Sequence, residues 1–391
     1  MAVKTITILG STGSVGTQTV DLLLATPDAY HVNALIAGSN ATLLAEQAKS
    51  LRPDVVVIAD EAAYGELRNA LASTGIRIEV GRAAVIAAAG IPTDWTMAAI
   101  TGTAGLEPTL AATANGHAIA LANKEALVSA GEVFLRAIAS AGATLLPVDS
   151  EHNAIFQALA DGNRAALEKI ILTASGGPFR DFSLADMHDI SPERALKHPV
   201  WSMGAKISID SATLFNKGLE VIEAARLFTL TPDEIEILVH PQSIIHGMVC
   251  YRDGSVLAQM GAPDMRIPIA HTLAWPHRIA TTSPRLDLAG AARLEFFPPD
   301  PVRFPALRLA REALVAGHGA ATVLNAANEV AVAAFLAKRI GFLDIAALVE
   351  ATMQRFGAPP IPDLASVLAL DFETRALTES YIRAKSASRA A

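Results

Sequence analysis

Asp149-Ser150-Glu151 closes the apolar run Ala143-Thr144-Leu145-Leu146-Pro147-Val148. Residues two apart at a strand end point to the same side, so the two carboxylates face each other across one serine. Like charges held that way repel unless a cation lies between them. A hard divalent ion with oxygen ligands satisfies both. In Asn216-Lys217-Gly218-Leu219-Glu220 the spacing puts Asn216, Lys217 and Glu220 on one face of an expected helix. The segment reads either as a surface Lys–Glu pair or as the source of a third ligand, Glu220, beside Asp149 and Glu151. Three carboxylates would leave positions open for substrate or water, as a Lewis-acid site needs.

A second chemistry opens the chain. Gly10-Ser11-Thr12-Gly13-Ser14-Val15-Gly16 follows an apolar strand pattern and precedes a helical one. Glycines there let the backbone approach a pyrophosphate seated on the helix N-terminus. The spacing is G-x-x-G-x-x-G rather than the commoner G-x-G-x-x-G, and a plain strand–helix turn is the competing explanation. After the second strand comes Ala37-Gly38-Ser39-Asn40, without the acid that would hold a ribose 2′-hydroxyl. Gly38, Ser39 and Asn40 therefore favour NADP(H) over NAD(H). Asn123-Lys124-Glu125 stands where a later strand meets its helix, on the side where such sheets bind ligands. Asn123 and Glu125 are assigned to the cofactor, and Lys124 to polarising a substrate oxygen. A solvated helix start is the alternative.

Ser175-Gly176-Gly177 after a strand offers an amide nest for an anion. With His198, Ser211, Asn216 and Lys217 it would form a phosphate pocket that uses no arginine. Taken singly, each has a structural explanation, and so do His152, His240 and His246. Trp201-Ser202-Met203-Gly204 puts large apolar residues in a polar stretch. It reads as a lid that closes over substrate or as an anchor for its own loop.

The elements that must position these groups follow from periodicity. Strands are expected at Thr5–Leu9, His31–Ala37, Val55–Ile58, Trp95–Ile100, Ala118–Leu121 and Thr144–Val148, with helical patterns such as Gln18–Leu24 and Lys124–Ser140 between them. That alternation predicts an α/β fold with a Rossmann-like, doubly wound N-terminal domain. Further on, Glu151–Ala160 reads as a helix, Lys169–Ala174 as a strand, Asp186–Gly204 as a long loop and Ser211–Phe228 as a helix. Arg252-Asp253-Gly254 joins a hairpin. This middle part is expected to be an α+β catalytic domain. Proline-rich 283–306 reads as a linker, and Val323–Lys338, Asp344–Gln354 and Ala365–Arg383 as a C-terminal helical bundle. The expected boundaries are 1–149, 150–282, 283–306 and 307–391.

Composition narrows the partners. The chain has 391 residues and a formal net charge of −8 without a long basic block, which argues against nucleic acid or an anionic membrane. Hydrophobic content of 51% suffices for sizeable cores. No apolar run reaches the roughly 18 residues of a membrane helix. The N-terminus runs directly into a strand pattern, so no signal or transit peptide is expected. The single cysteine, Cys250, reads as a buried hydrophobe in a reducing compartment, so a cytoplasmic location is expected.

Taken in order, these segments resemble the 1-deoxy-D-xylulose 5-phosphate reductoisomerase family. The resemblance rests on Gly10–Gly16, Leu121-Ala-Asn-Lys-Glu125, Val148-Asp-Ser-Glu-His-Asn153, Thr173-Ala-Ser-Gly-Gly-Pro-Phe179, His198-Pro-Val-Trp-Ser-Met-Gly204, Asn216–Glu220 and His240-Pro-Gln-Ser243. It implies a V-shaped homodimer and NADPH-dependent conversion of 1-deoxy-D-xylulose 5-phosphate, a small sugar phosphate, to 2-C-methyl-D-erythritol 4-phosphate in non-mevalonate isoprenoid biosynthesis. It implies Mg2+ or Mn2+ on Asp149, Glu151 and Glu220. It implies substrate contacts from Ser150, Lys124, Asn216 and Lys217, and phosphate contacts from Ser175, His198, Ser211, Asn216 and Lys217. Trp201 would close over the substrate, with Met203 and Gly204 near the nicotinamide and His246 nearby. Thr12, Gly13, Ser14 and Val15 would line the pyrophosphate. Ser39 stands where some members carry a basic residue, and Ala126 and Phe215 replace common Ser and Met. The rival activity is that of an NADP-dependent dehydrogenase of another phosphorylated or semialdehyde substrate, which would need no metal.

Overall fold

A computed structural model describes residues 3–114, 117–159, 164–201 and 203–390. Ala160, Ser202 and Ala391, which fall within segments read above, lie outside the described residues. The chain divides into two compact units.

The first unit comprises residues 1–126, 134–153 and 264–284. Its sheet contains β1 (Lys4–Leu9), β2 (Tyr30–Ala37), β3 (Val55–Ile58), β4 (Arg77–Val80), β5 (Trp95–Ala98), β6 (Ala118–Leu121) and β7 (Thr144–Pro147). The order is β4-β3-β2-β1-β5-β6-β7 and every pairing is parallel. Strands in such sheets are covered on both faces, which explains their apolar runs. Ile6, Ile8, Leu35, Val56, Ile58, Trp95 and Met97 share one core. The strand order reverses at β1, between β2 and β5, which is the ligand-binding switch point of this topology. Five expected strands match within one residue at each end, and the sixth, Trp95–Ile100, ends two residues early at Ala98. β4 is an addition: its four residues, alternately exposed and half-buried at the sheet edge, give too short an apolar pattern to register.

Residues 264–282 were assigned by sequence to the catalytic part, yet they pack within the first unit. The helix Arg266–Ala274 contributes Ile269, Ala270 and Leu273 to the same core as β1 and β5. Trp95, fully buried, donates its indole N–H to Thr272 O at 3.1 Å. This contact spans 177 positions of sequence and is invisible to local periodicity.

The second unit comprises residues 127–133, 154–263 and 285–391. Its sheet contains β8 (Leu167–Ala174), β9 (Ile235–Val239), β10 (Ile245–Tyr251) and β11 (Val256–Met260), ordered β11-β10-β8-β9. The expected hairpin is β10–β11. β9 was not foreseen and pairs parallel to β8. Helices Ala306–Ala316, Ala320–Leu336, Asp344–Phe356 and Leu364–Ala390 follow, as the helical reading of the C-terminal part anticipated.

Two expectations need correction here. The single helix expected over Ser211–Phe228 is two helices, Ala205–Thr213 and Phe215–Phe228, separated by Leu214 at φ 60°. A non-glycine residue in that region ends a helix, and leucine at this position carries no breaking signal. The long loop expected over Asp186–Gly204 contains a 3₁₀ turn, Asp186–Asp189, and a short helix, Pro192–Ala195. Ser191 caps that helix and Pro192 occupies its first position, a pairing that fits helix starts. No described helix is long and apolar enough to cross a membrane.

Truncating Trp95 to Ala removes a large core side chain and its indole bond. We expect a stability loss of about 3–5 kcal/mol in the first unit, read as faster hydrogen exchange of the β1 and β5 amides.

Candidate active site

In the first unit the glycine turn lies at the switch point. Gly10, at φ 88°, runs so close to the end of β5 that a Cβ there would stand 2.6 Å from Ala99 O. A Cβ on Gly16 would meet Gly10 O at 2.2 Å. Both positions require glycine, and the turn is thereby pressed against the backbone at the strand ends. The helix Ser14–Ala25 begins at Gly13 without a side-chain cap. Its first amides and its dipole favour an anion. Gly13 and Ser14 are exposed, and Thr12 and Val15 half-buried, on this rim. Gly38, Ser39 and Asn40 are exposed at the end of β2. Asn40 also caps the helix Ala41–Leu51 by accepting from Leu43 N at 3.0 Å.

Asn123 is buried and accepts from Ala126 N at 2.8 Å, capping the helix Lys124–Ala141. Its amide nitrogen donates to Ile100 O and, at 3.0 Å, to Gly102 O. The side chain thus clamps the loop beyond β5. Glu125 is buried beside it. Ala126 is fully buried, so a small side chain suits that position.

Lys124 reaches the carboxylate of Asp149 beyond the end of β7, and both side chains are almost fully buried. Burial alone would raise the Asp149 carboxyl. The Lys124 ammonium, His152 and a hydrogen bond with Glu151 outweigh it and hold that carboxyl well below the usual carboxylate range. Ser150 hydrogen-bonds Glu151. His152, fully buried, stands 3.9 Å from Asp149. The turn is fixed behind by Asn153, which donates its backbone N–H to Asp149 O at 2.8 Å and its amide to Pro147 O at 2.9 Å. The same amide lies 3.1 Å from His271 Nδ1, so a neutral His271 can accept from it. Sequence reading missed His271, which lies on the helix Arg266–Ala274 and has no motif around it.

In the second unit Ser175 Oγ lies 2.9 Å from His198 Nε2. His198 Nδ1 accepts from Val200 N at 3.2 Å and Trp201 N at 2.8 Å. Those bonds place the imidazole proton on Nε2, which donates to Ser175. Ser175 also accepts from Gly177 N at 3.2 Å, so its own hydroxyl hydrogen is directed to a further acceptor. Gly177, at φ 68°, packs on the end of the helix Ala205–Thr213, where a Cβ would stand 2.9 Å from Ser211 O. Ser175 and His198 are thus in contact, and the backbone of Ser211 lies against the same turn at Gly177. Trp201, half-buried, has its ring 6.1 Å from that of buried His246. Met203 is half-buried, and Gly204 is the N-cap of the helix Ala205–Thr213.

On the helix Phe215–Phe228, Asn216 and Lys217 both hydrogen-bond the carboxylate of Glu220, which is fully buried. The reading as a solvated surface pair is therefore wrong: Lys217 is 2% exposed. Phe215 fills a fully buried position. His240 proves structural: it stacks on Phe296 with ring centroids 4.7 Å apart and accepts from Ile244 N and Ile245 N. Sequence reading also missed Arg226. Its guanidinium donates to Leu127 O and Val128 O beside Gly131, which breaks its helix at φ 45°. Burial lowers the Arg226 guanidinium to about 10 against the pull of Glu132. The lone glycine inside a helical pattern was the available signal.

The donors fit a hard divalent ion. Asp149, Glu151 and Glu220 offer only oxygen, and ammonium groups already stand against two of them as stand-in cations. A switch-point glycine turn together with carboxylate–lysine pairs defines a nucleotide-dependent enzyme of the doubly wound class. The family model described as 1-deoxy-D-xylulose 5-phosphate reductoisomerase matches residues 6–131, and models of that enzyme's C-terminal domains match 145–228 and 260–377. The chain is 62% identical over 380 residues to the 1-deoxy-D-xylulose 5-phosphate reductoisomerase of Gluconobacter oxydans (strain 621H), covering 97% of this chain and 93% of the relative. The enzyme of Zymomonas mobilis, solved in complex with NADPH, superposes with TM-score 0.92 at 51% identity, covering 97% of this chain and 99% of that one. A reductoisomerase solved with NADPH, fosmidomycin and magnesium superposes with TM-score 0.92 at 40% identity, covering 97% and 98%. The chain belongs to the 1-deoxy-D-xylulose 5-phosphate reductoisomerase family.

The support behind Asp149 predicts a pH dependence. Burial, with Arg278 adding repulsion, lowers His271 from 6.5 to about 4. Between those values the unfolded chain binds a proton that the folded chain refuses. Stability is therefore full above the higher value and declines as pH falls toward the lower. The ring keeps part of its solvent exposure, so screening limits the loss to about 1–2 kcal/mol. Urea midpoints of the first unit should fall across that window, and His271→Gln should flatten the decline.

Proposed function

We infer that this chain is a metal-dependent NADPH reductoisomerase converting 1-deoxy-D-xylulose 5-phosphate to 2-C-methyl-D-erythritol 4-phosphate, a step of non-mevalonate isoprenoid biosynthesis. One observation carries the reading. A family member keeps Asp149 ionised against a buried lysine at the end of β7, and relatives of the same fold were solved with NADPH and magnesium.

The residue roles are part of the proposal. Thr12, Gly13, Ser14 and Val15 receive the pyrophosphate on the uncapped helix start. Gly38, Ser39 and Asn40 border the ribose 2′-phosphate, and Met203 and Gly204 the nicotinamide. Asn123 and Glu125 support this side through the loop beyond β5. Asp149, Glu151 and Glu220 are the ligands of one Mg2+ or Mn2+. Bound together, the ion supplies positive charge to the ketone and neighbouring hydroxyl oxygens, and the reduced nicotinamide supplies hydride.

The chain's own side chains bind and orient. Lys124 and Ser150 contact the substrate oxygens. The Ser175 hydroxyl, held by His198, donates to the phosphate with Ser211, Asn216 and Lys217. Trp201 and His246 cover the substrate and exclude water. Holding both ends matters because the C3–C4 bond breaks before the fragments rejoin as a branched aldehyde phosphate, which is then reduced. The working form is a homodimer in the cytoplasm, with the first unit as the nucleotide part and the second unit carrying the catalytic helices and the C-terminal helical part.

NADPH absorbance should fall when the deoxyxylulose phosphate is added, and EDTA should abolish the loss until Mg2+ or Mn2+ is restored. Turnover that persists in the chelator would favour the metal-free dehydrogenase. Glu220→Gln should retain NADPH binding while turnover drops by roughly 10³-fold or more. Unchanged kinetics would remove Glu220 from the ligand set.

A further inference from the structure

The helix Ala320–Leu336 is built mainly of alanine, valine and leucine, yet Thr322, Asn325 and Asn328 are fully buried in it. Steps of three keep them on neighbouring positions of the helix surface. Thr322 donates to Ser129 O at 2.7 Å, and Asn325 donates to Ser129 Oγ at 3.1 Å and to Glu329 at 3.0 Å. Asn328 donates to Asp210 at 2.8 Å. Asp210, 1% exposed, also takes Lys206 Nζ at 2.7 Å from one turn earlier on the helix Ala205–Thr213. The amide oxygens of Asn325 and Asn328 have no partner among the described residues. Packing alone does not account for such residues, since an apolar side chain of equal size would leave no polar atom stranded.

What Asp210 adjoins supplies a reason. The next residue is Ser211, whose carbonyl is the surface against which Gly177 is pressed. Asp210 therefore sits under the junction of the two segments that carry Ser175 and Ser211. Through Lys206 it also ties down the helix start that follows Met203 and Gly204.

We propose that Asn328 is a positioning residue for phosphate recognition, acting through Asp210 to set the register of Ser211 against the Ser175–Gly177 turn. This rests on the function proposed above. Asn328 touches none of the proposed ligands. The groups facing Asp210 are Lys206 from its own helix and Asn328 from the helix Ala320–Leu336.

The test is steady-state kinetics of the full chain carrying Asn328→Leu, which matches the shape and removes both the bond and the stranded oxygen. KM for the deoxyxylulose phosphate should rise about tenfold, with kcat and KM for NADPH within about threefold of the parent. The melting temperature should stay within about 2 °C or increase. A purely structural role would instead lower the melting temperature and the active fraction with substrate KM unchanged, and that result overturns the proposal. Asp210→Asn gives a second arm. It should raise the same KM, and the double variant should be no worse than the poorer single one; additive effects would contradict action through Asp210. Failure of the parent protein to turn over this substrate would instead count against the functional reading, so the two failures are separable.

Discussion

Carboxylates can be kept inside a protein only if something positive is kept with them. Both units obey this: Lys124 is buried with Asp149, and Lys217 is buried with Glu220. The desolvation cost of each acid would otherwise drive it to its neutral form. Much of the surrounding structure follows from this need. The β7 end and Asn153 hold the first acid, and the Asn216–Glu220 turn holds the second. At Asp149 the lysine holds the carboxyl well below the usual carboxylate range despite burial.

The backbone does comparable work at the two glycine turns proposed to receive phosphates. Gly10 and Gly16 allow one loop to approach the ends of the strands, and Gly177 allows another to lie on a helix end. In each case a missing side chain brings amides near where an anion is expected. His198 adds a detail that sequence could not supply. Accepting two backbone N–H groups selects its tautomer, and the tautomer in turn orients the Ser175 hydroxyl.

Legibility in the sequence tracked the range of the interactions. The strands of the parallel sheet were readable because double-sided burial writes apolar runs locally, whereas β4, short and on the edge, was not. The motif residues Asp149, Lys124, Ser175 and Glu220 were readable because their types and spacing are unusual. The break at Leu214 was not, because a leucine gives no notice of a left-handed backbone. His271, Arg226 and Asn328 escaped for another reason: each acts on a partner far along the chain, and only the folded arrangement identifies it. The identity of Asn40 and Asn123 pointed to the cofactor side, yet both also have local duties as helix caps.

The return of residues 264–284 to the first unit bears on how the protein is made. A ribosome releases β1 through β7 early, but Thr272, which accepts the Trp95 indole hydrogen, emerges only after residues 154–263 have been translated. Until then Trp95 and its neighbours lack part of their cover, and the nascent nucleotide-binding half presents an apolar flank. Completion of the earlier half therefore waits on the later one, and N-terminal fragments ending before this helix inherit a sticky surface that the whole polypeptide conceals.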